Sequence, residues 1–142
     1  MTFYFDRRTS LLNLVLEDAA KMEHPMLLAC TFHFPDTAAH RLARKLDEGV
    51  ISRMVLYTEL HHRNNRGWQE ALKKRGVELH NIPIHAKCAV LKDGKNTVVY
   101  LSSNNWLNDH VFEFSVRYEG DEALRLAYMI AAALPSGDGN VQ

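Results

Sequence analysis

Apolar residues recur along this chain in two rhythms. In residues 9–22, Leu11, Leu12, Val15, Ala19 and Met22 fall at helical spacing. With Thr9 or Ser10 as N-cap, that spacing predicts a first helix. Residues 25–34, PMLLACTFHF, form a dense apolar run bounded by Pro25 and Pro35, which predicts a buried strand. Polar and apolar positions then alternate at helical spacing over residues 36–49. Asp36 or Thr37 caps the start and Gly49 stands at the end. SRMVLYTEL reads as a strand, NRGWQEALKKRG as a helix stopped by Gly76, and VELHNI as a short strand.

Strand and helix in alternation imply βαβ units, hence a mostly parallel sheet flanked by helices. The rhythm changes after Ile84. HAKCAVLK and TVVYLSS are joined by DGKN, whose Asp93-Gly94 step signals a hairpin turn. VFEFSVRYEG adds a strand and DEALRLAYMIAAAL closes with a helix, while PSGDGNVQ reads as a loose end. The expected architecture is therefore one α/β domain over residues 1–135, with a mixed, mostly parallel sheet and a flexible tail at 136–142.

Composition changes this picture little. The chain has 142 residues, 46% of them hydrophobic, enough for one domain with a real core. Its 17 basic and 17 acidic side chains balance to a formal net charge of zero. That argues against bulk electrostatic binding to nucleic acid and leaves room for a local phosphate site. Cys30 and Cys88 both sit in apolar runs and read as small buried hydrophobes of a reducing compartment, although sequence leaves a disulfide between them open. No run approaches the about 18 apolar residues of a membrane span. MTFYFDRRTS lacks the apolar stretch of a secretory signal. The expected location is the cytoplasm, away from the membrane.

The chemistry concentrates in residues 84–106, IHAKCAVLKDGKNTVVYLSSNNW. Alternate residues of a strand share a face, so His85 and Lys87 point one way, as do Ser103 and Asn105 on the next strand. Pairing the two strands brings together an imidazole, an ammonium, a hydroxyl and an amide. Histidine attacks or carries a proton near neutral pH, and the other three donate hydrogen bonds to phosphate oxygens. The set suits phosphodiester chemistry without a metal.

HAK followed by LSSNNW resembles the H-x-K…G-S-x-N signature of the phospholipase D superfamily. The upstream LARKLDEG, RMVLY and ALKKRGVELHNI resemble that family's lead-in, so the likeness covers residues 25–120. Three departures stand out. Lys92 occupies the place of the family aspartate, with Asp93 one position later. The hairpin is longer than the consensus, and Ser102 replaces a glycine. The resemblance implies a phospholipase D-like domain whose hairpin carries the site. It implies His85 as a nucleophile forming a phosphohistidine, with Lys87 and Asn105 stabilising charge and Ser103 binding phosphate. Glu113 would orient the histidine ring, and Asp93 would have a supporting role. It implies no cofactor and no metal. Because the chain has one copy of the motif, it also implies a homodimer in which a second His85 protonates the leaving oxygen. Small single-motif members are mostly nucleases, so the expected substrate is DNA or RNA. An inactive nucleic-acid- or protein-binding relative, and a phosphodiesterase for a lipid or small nucleotide, are the alternatives.

Other polar groups admit plainer readings. His61, His62, Arg63 and Arg66 form either a substrate-contacting loop after a strand or a solvated loop. His80 and His85 have no further ligand at metal spacing. Lys73, Lys74 and Arg75 favour a helix C-terminus whatever the function. Trp106 is expected to pack beneath the site.

Overall fold

The computed structural model describes residues 1–60 and 66–135, with Arg66 in backbone only. The elements run β1 (Thr2–Asp6), α1 (Leu11–Lys21), β2 (Met26–Thr31), α2 (Asp36–Asp47), β3 (Arg53–Thr58), α3 (Arg66–Lys73), β4 (Glu78–Asn81), β5 (Lys87–Lys92), β6 (Thr97–Ser102), β7 (Glu113–Glu119) and α4 (Gly120–Ala133). One seven-stranded sheet has the order β1-β7-β6-β5-β2-β3-β4. The expected α/β domain, with a mixed sheet flanked by helices, is what forms.

Two details differ from the sequence reading. Residues 2–6, left without an element there, form an edge strand antiparallel to β7. Only the partner strand, more than a hundred residues away, makes so short a segment a strand. Parallel pairing is also confined to β2-β3-β4, while β2-β5, β5-β6, β6-β7 and β7-β1 are antiparallel. Even so, β1, β6, β2, β3 and β4 all run the same way, against β5 and β7. Their C-terminal ends therefore gather on one edge of the sheet, together with the first residues of β5 and β7.

The two faces of the sheet are covered unequally. Leu27, Ala29, Leu56, Leu79, Ala89, Leu91 and Tyr100 pack under α1, α2 and α3, including Leu11, Val15, Leu42, Trp68 and Leu72. On the other face Cys30, Val55, Tyr57, Val90 and Val99 meet α4 through Ala123, Leu126, Ile130 and Leu134. Each strand alternates between the two layers, as period-two side chains require. Within the first layer a partly buried ion pair ties a helix to the sheet. Arg117 Nη2 and Nε both donate to the Asp18 carboxylate at 3.0 Å, and Tyr100 Oη donates to Asp18 at 2.5 Å. Cys30 and Cys88 face each other across β2 and β5, and both are buried and free. His80 is buried and stacked on Tyr57 at 4.4 Å, the place of a core histidine.

Among the described residues no helix is long and apolar enough to cross a membrane. The tail expected at 136–142 lies outside the described residues.

Candidate active site

The motif residues collect on the C-terminal sheet edge, but not all as strand alternation implied. Strand β5 begins at Lys87, so His85 stands two residues before it in an irregular segment. The imidazole is solvent-exposed and meets the Phe32 ring edge-on, with centroids 4.7 Å apart. Phe32 follows the last residue of β2, so His85 is braced from the neighbouring strand. Lys87 is half-buried and pairs in register with Ser102.

Asn105 is positioned most tightly. Its side-chain oxygen accepts from Thr31 Oγ1 at 2.9 Å and from the His33 backbone N–H at 3.1 Å. A backbone N–H can only donate, so the atom facing it is the oxygen. The amide NH2 must then point the other way, where it can donate to an anion. Thr31, fully buried at the end of β2, is thus part of the site that the sequence reading missed. Its signal was a lone polar residue in an apolar run.

The loop that presents Asn105 is locked from below. Asn104 is buried and accepts from the Leu11 N–H at 3.1 Å. The Trp106 carbonyl accepts from the Leu12 N–H at 3.0 Å, and Ser10 Oγ accepts from the Asn13 N–H at 3.1 Å. Three of the donors that a helix leaves unpaired at its N-terminus are thereby satisfied, two of them by the motif loop. Trp106 is fully buried and donates through Nε1 to the Cys30 carbonyl at 3.2 Å. It also holds φ at 72°, a left-handed conformation costly for a residue with a side chain. Its packing under the site was expected. Asn104 as a helix cap was not, since the first of two adjacent asparagines shows no pattern of its own.

Ser103 is engaged with β7 and less open to a ligand than the signature suggests. Its Oγ accepts from the Phe114 N–H at 2.9 Å and reaches Glu113 Oε1 at 3.4 Å. Its own N–H donates to the Phe114 carbonyl at 3.0 Å. Glu113, the half-buried first residue of β7, is held beside the motif loop. Burial raises its carboxyl above the ordinary glutamate value. The Ser103 hydrogen bond opposes that shift, Asp109 adds to it, and the Lys87 charge opposes it. Ser102 replaces the glycine of the signature without closing the turn: its hydroxyl lies 2.8 Å from Ser115 Oγ and accepts from the Asn104 N–H at 3.1 Å.

Asp93 stands apart. It caps the turn at the opposite end of β5, accepting from the backbone N–H groups of Lys95 at 2.8 Å, Asn96 at 2.6 Å and Glu23 at 2.8 Å. These bonds hold its carboxyl below the usual aspartate range. A six-residue strand is about 20 Å long, so Asp93 supports the hairpin and cannot reach a phosphate at His85. His61, His62 and Arg63 lie outside the described residues, as does the Arg66 side chain.

No protein-family model matches the sequence. No curated protein matches it either. Solved structures do match. Polyphosphate kinase from Porphyromonas gingivalis aligns over 99% of this chain and 27% of its own, with a TM-score of 0.64 and 14% identity. Phosphatidylserine synthase from Haemophilus influenzae Rd KW20 aligns over 92% of this chain and 37% of its own, with a TM-score of 0.59 and 21% identity. TrmBL2, an archaeal chromatin protein described as showing a novel mode of DNA binding, aligns over 92% of this chain and 50% of its own, with a TM-score of 0.56 and 13% identity. This chain spans between about a quarter and a half of those structures. At such identities the likeness is one of fold.

Proposed function

We propose that this chain is a metal-independent phosphodiesterase, an endonuclease on DNA or RNA that works through a phosphohistidine in a site shared by two copies. The observation that carries the reading is the sheet edge itself. It holds an exposed imidazole at His85, an ammonium at Lys87 and the Asn105 amide turned outward by Thr31 and His33. In the first step an unprotonated nitrogen of His85 attacks phosphorus. The N–P bond forms as the P–O bond to the leaving group breaks, and that oxygen takes a proton from the partner subunit's His85. In the second step water attacks phosphorus, gives its proton to the partner's His85, and the N–P bond breaks. Splitting the displacement this way requires a nucleophile and an acid on opposite sides of phosphorus. Lys87 and the Asn105 amide stabilise charge on the phosphoryl oxygens. Glu113 orients the His85 ring, and Ser103 reaches phosphate only by releasing Glu113.

The same observation about Ser103 favours a second reading, an inactive module that binds nucleic acid. The DNA-binding chromatin protein of like fold supports it. A third substrate class, lipid or small polyphosphate esters, is suggested by the kinase and the synthase of like fold.

The test is incubation of purified protein and His85→Asn with single-stranded DNA, double-stranded DNA and RNA in excess EDTA. Cleavage by wild type alone supports the nuclease. Cleavage by both proteins removes His85 from the mechanism. Binding without cleavage supports the inactive module, and turnover only of lipid or small phosphodiesters moves the substrate class.

A further inference from the structure

Both cysteines of the chain fall on one register pair. Cys30 on β2 stands directly opposite Cys88 on β5, and directly opposed residues of antiparallel neighbours share a face of the sheet. Both lie in the layer under α4, at 1% and 5% exposure, beside Val55 and Tyr57. Such opposed residues have Cα atoms about 4.5 or 5.5 Å apart, according to whether the pair is hydrogen-bonded. Either spacing lies inside the roughly 4.4–6.8 Å span of disulfides, so a bridge needs side-chain rotation and no backbone movement. The thiols already touch. Cys30 donates a hydrogen bond to the Cys88 sulfur, which draws the Cys88 thiol below its ordinary value against the effect of burial and pushes the Cys30 thiol up. Packing alone does not call for sulfur here, since the next register pair is filled by Ala29 and Ala89.

We propose that Cys30 and Cys88 form a redox modification site, a dithiol that hydrogen peroxide converts to a disulfide within one chain. The Cys88 thiolate attacks one peroxide oxygen. The S–O bond forms as the O–O bond breaks, and the departing hydroxide takes up the proton Cys88 gave off, leaving as water. The Cys30 sulfur then attacks the Cys88 sulfur. The S–S bond forms as the S–O bond breaks, and hydroxide leaves with the Cys30 proton as a second water. The thiols are oxidised to a disulfide and the peroxide is reduced to water. The pair is covered by Ile130 and Leu134 at the end of α4, and by Ile82 and Ile84 from the irregular segment before β5. Helix ends and irregular segments open locally, which admits an oxidant the size of peroxide and excludes bulky disulfides. The bridge would clamp the sheet where its two halves meet, because β2–β5 pairing joins the parallel strands β2-β3-β4 to the antiparallel ones. It also sits at the root of the candidate site. Thr31, next to Cys30, anchors Asn105, Trp106 donates to the Cys30 carbonyl, and Lys87 precedes Cys88. None of this depends on the phosphohistidine reading.

The test treats the reduced, folded protein with excess hydrogen peroxide and follows intact mass, thiol content after denaturation, and melting temperature. Wild type should lose the mass of two hydrogens and both thiols, and peptide mapping should join Cys30 to Cys88 in one chain. The oxidised protein should melt roughly 5–15 °C higher, a gain that dithiothreitol reverses. Cys30→Ala and Cys88→Ala should show no such gain, and Cys30→Val and Cys88→Val supply the same control if alanine weakens the fold. His85→Asn should oxidise like wild type, whatever becomes of cleavage. Thiols that persist until the protein unfolds overturn the inference. So do oxidation to sulfinic acid without a bridge, a bridge formed only between chains, and a melting temperature that does not rise on oxidation.

Discussion

Replacing Asn104 by alanine tests whether the motif loop and the first helix are one unit. The Asn104 side chain is 1% exposed, and its oxygen is the acceptor for the Leu11 N–H, itself fully buried. Alanine removes the acceptor and leaves that N–H without a partner at the helix start. An unsatisfied buried donor costs about 1–3 kcal/mol, and loss of a helix cap falls in the same range. The two figures describe one bond and do not add. For a chain of this size the melting temperature should fall by roughly 3–12 °C. Urea unfolding, with the midpoint lowered and the slope unchanged, reads the stability loss directly. Asn105 follows Asn104 and shares its loop, so phosphoester turnover should fall as well, by more than the unfolded fraction explains. A stability change within about 0.5 kcal/mol, the range of an ordinary surface substitution, would refute the coupling of helix and loop.

Lys87→Ala should lower turnover by about 2–4 kcal/mol of transition-state stabilisation, roughly 30- to 1000-fold, with the melting temperature nearly unchanged; an unaltered rate places Lys87 outside the chemistry. Burial raises the Glu113 carboxyl above its unfolded value, so ionising it opposes folding. Any stability it lends is full below the unfolded value and is lost as pH rises through the folded one. Glu113→Gln should therefore be at least as stable as wild type at pH 7 by urea unfolding, about equal to it below pH ~4, and less active; a neutral-pH destabilisation contradicts this account. Asp93 has the opposite sign, since its carboxyl is held down by backbone N–H groups. Its contribution is present above the unfolded value and disappears as pH falls through the folded one. Asp93→Ala should melt earlier at neutral pH, converge with wild type in strong acid, and cleave at the wild-type rate per folded molecule. A turnover defect there would return Asp93 to the site.

The alternation of apolar runs with helical spacing determined most of the elements from α1 onward, because each is long enough to bury a face of its own. The HAK and SSNNW motifs also determined which residues to examine, although His85 precedes β5 and Ser103 and Asn105 follow β6, so that Ser103 turns to β7 and Asn105 to β2. What the sequence could not determine were features made by distant partners. β1 exists only against β7. Parallel pairing stops at β2 because β5 turns back beside it, a choice of neighbour that no local pattern records. Asn104 became a cap and Thr31 an anchor through bonds spanning 93 and 74 positions. Asp93, given a supporting role by likeness to a motif, caps the far turn a strand length from His85, where a residue six positions after Lys87 on one continuous strand must lie. Local periodicity fixes which side chains bury. Only the packed sheet fixes which polar groups end up facing one another, because each must find its partner across the fold once water is excluded.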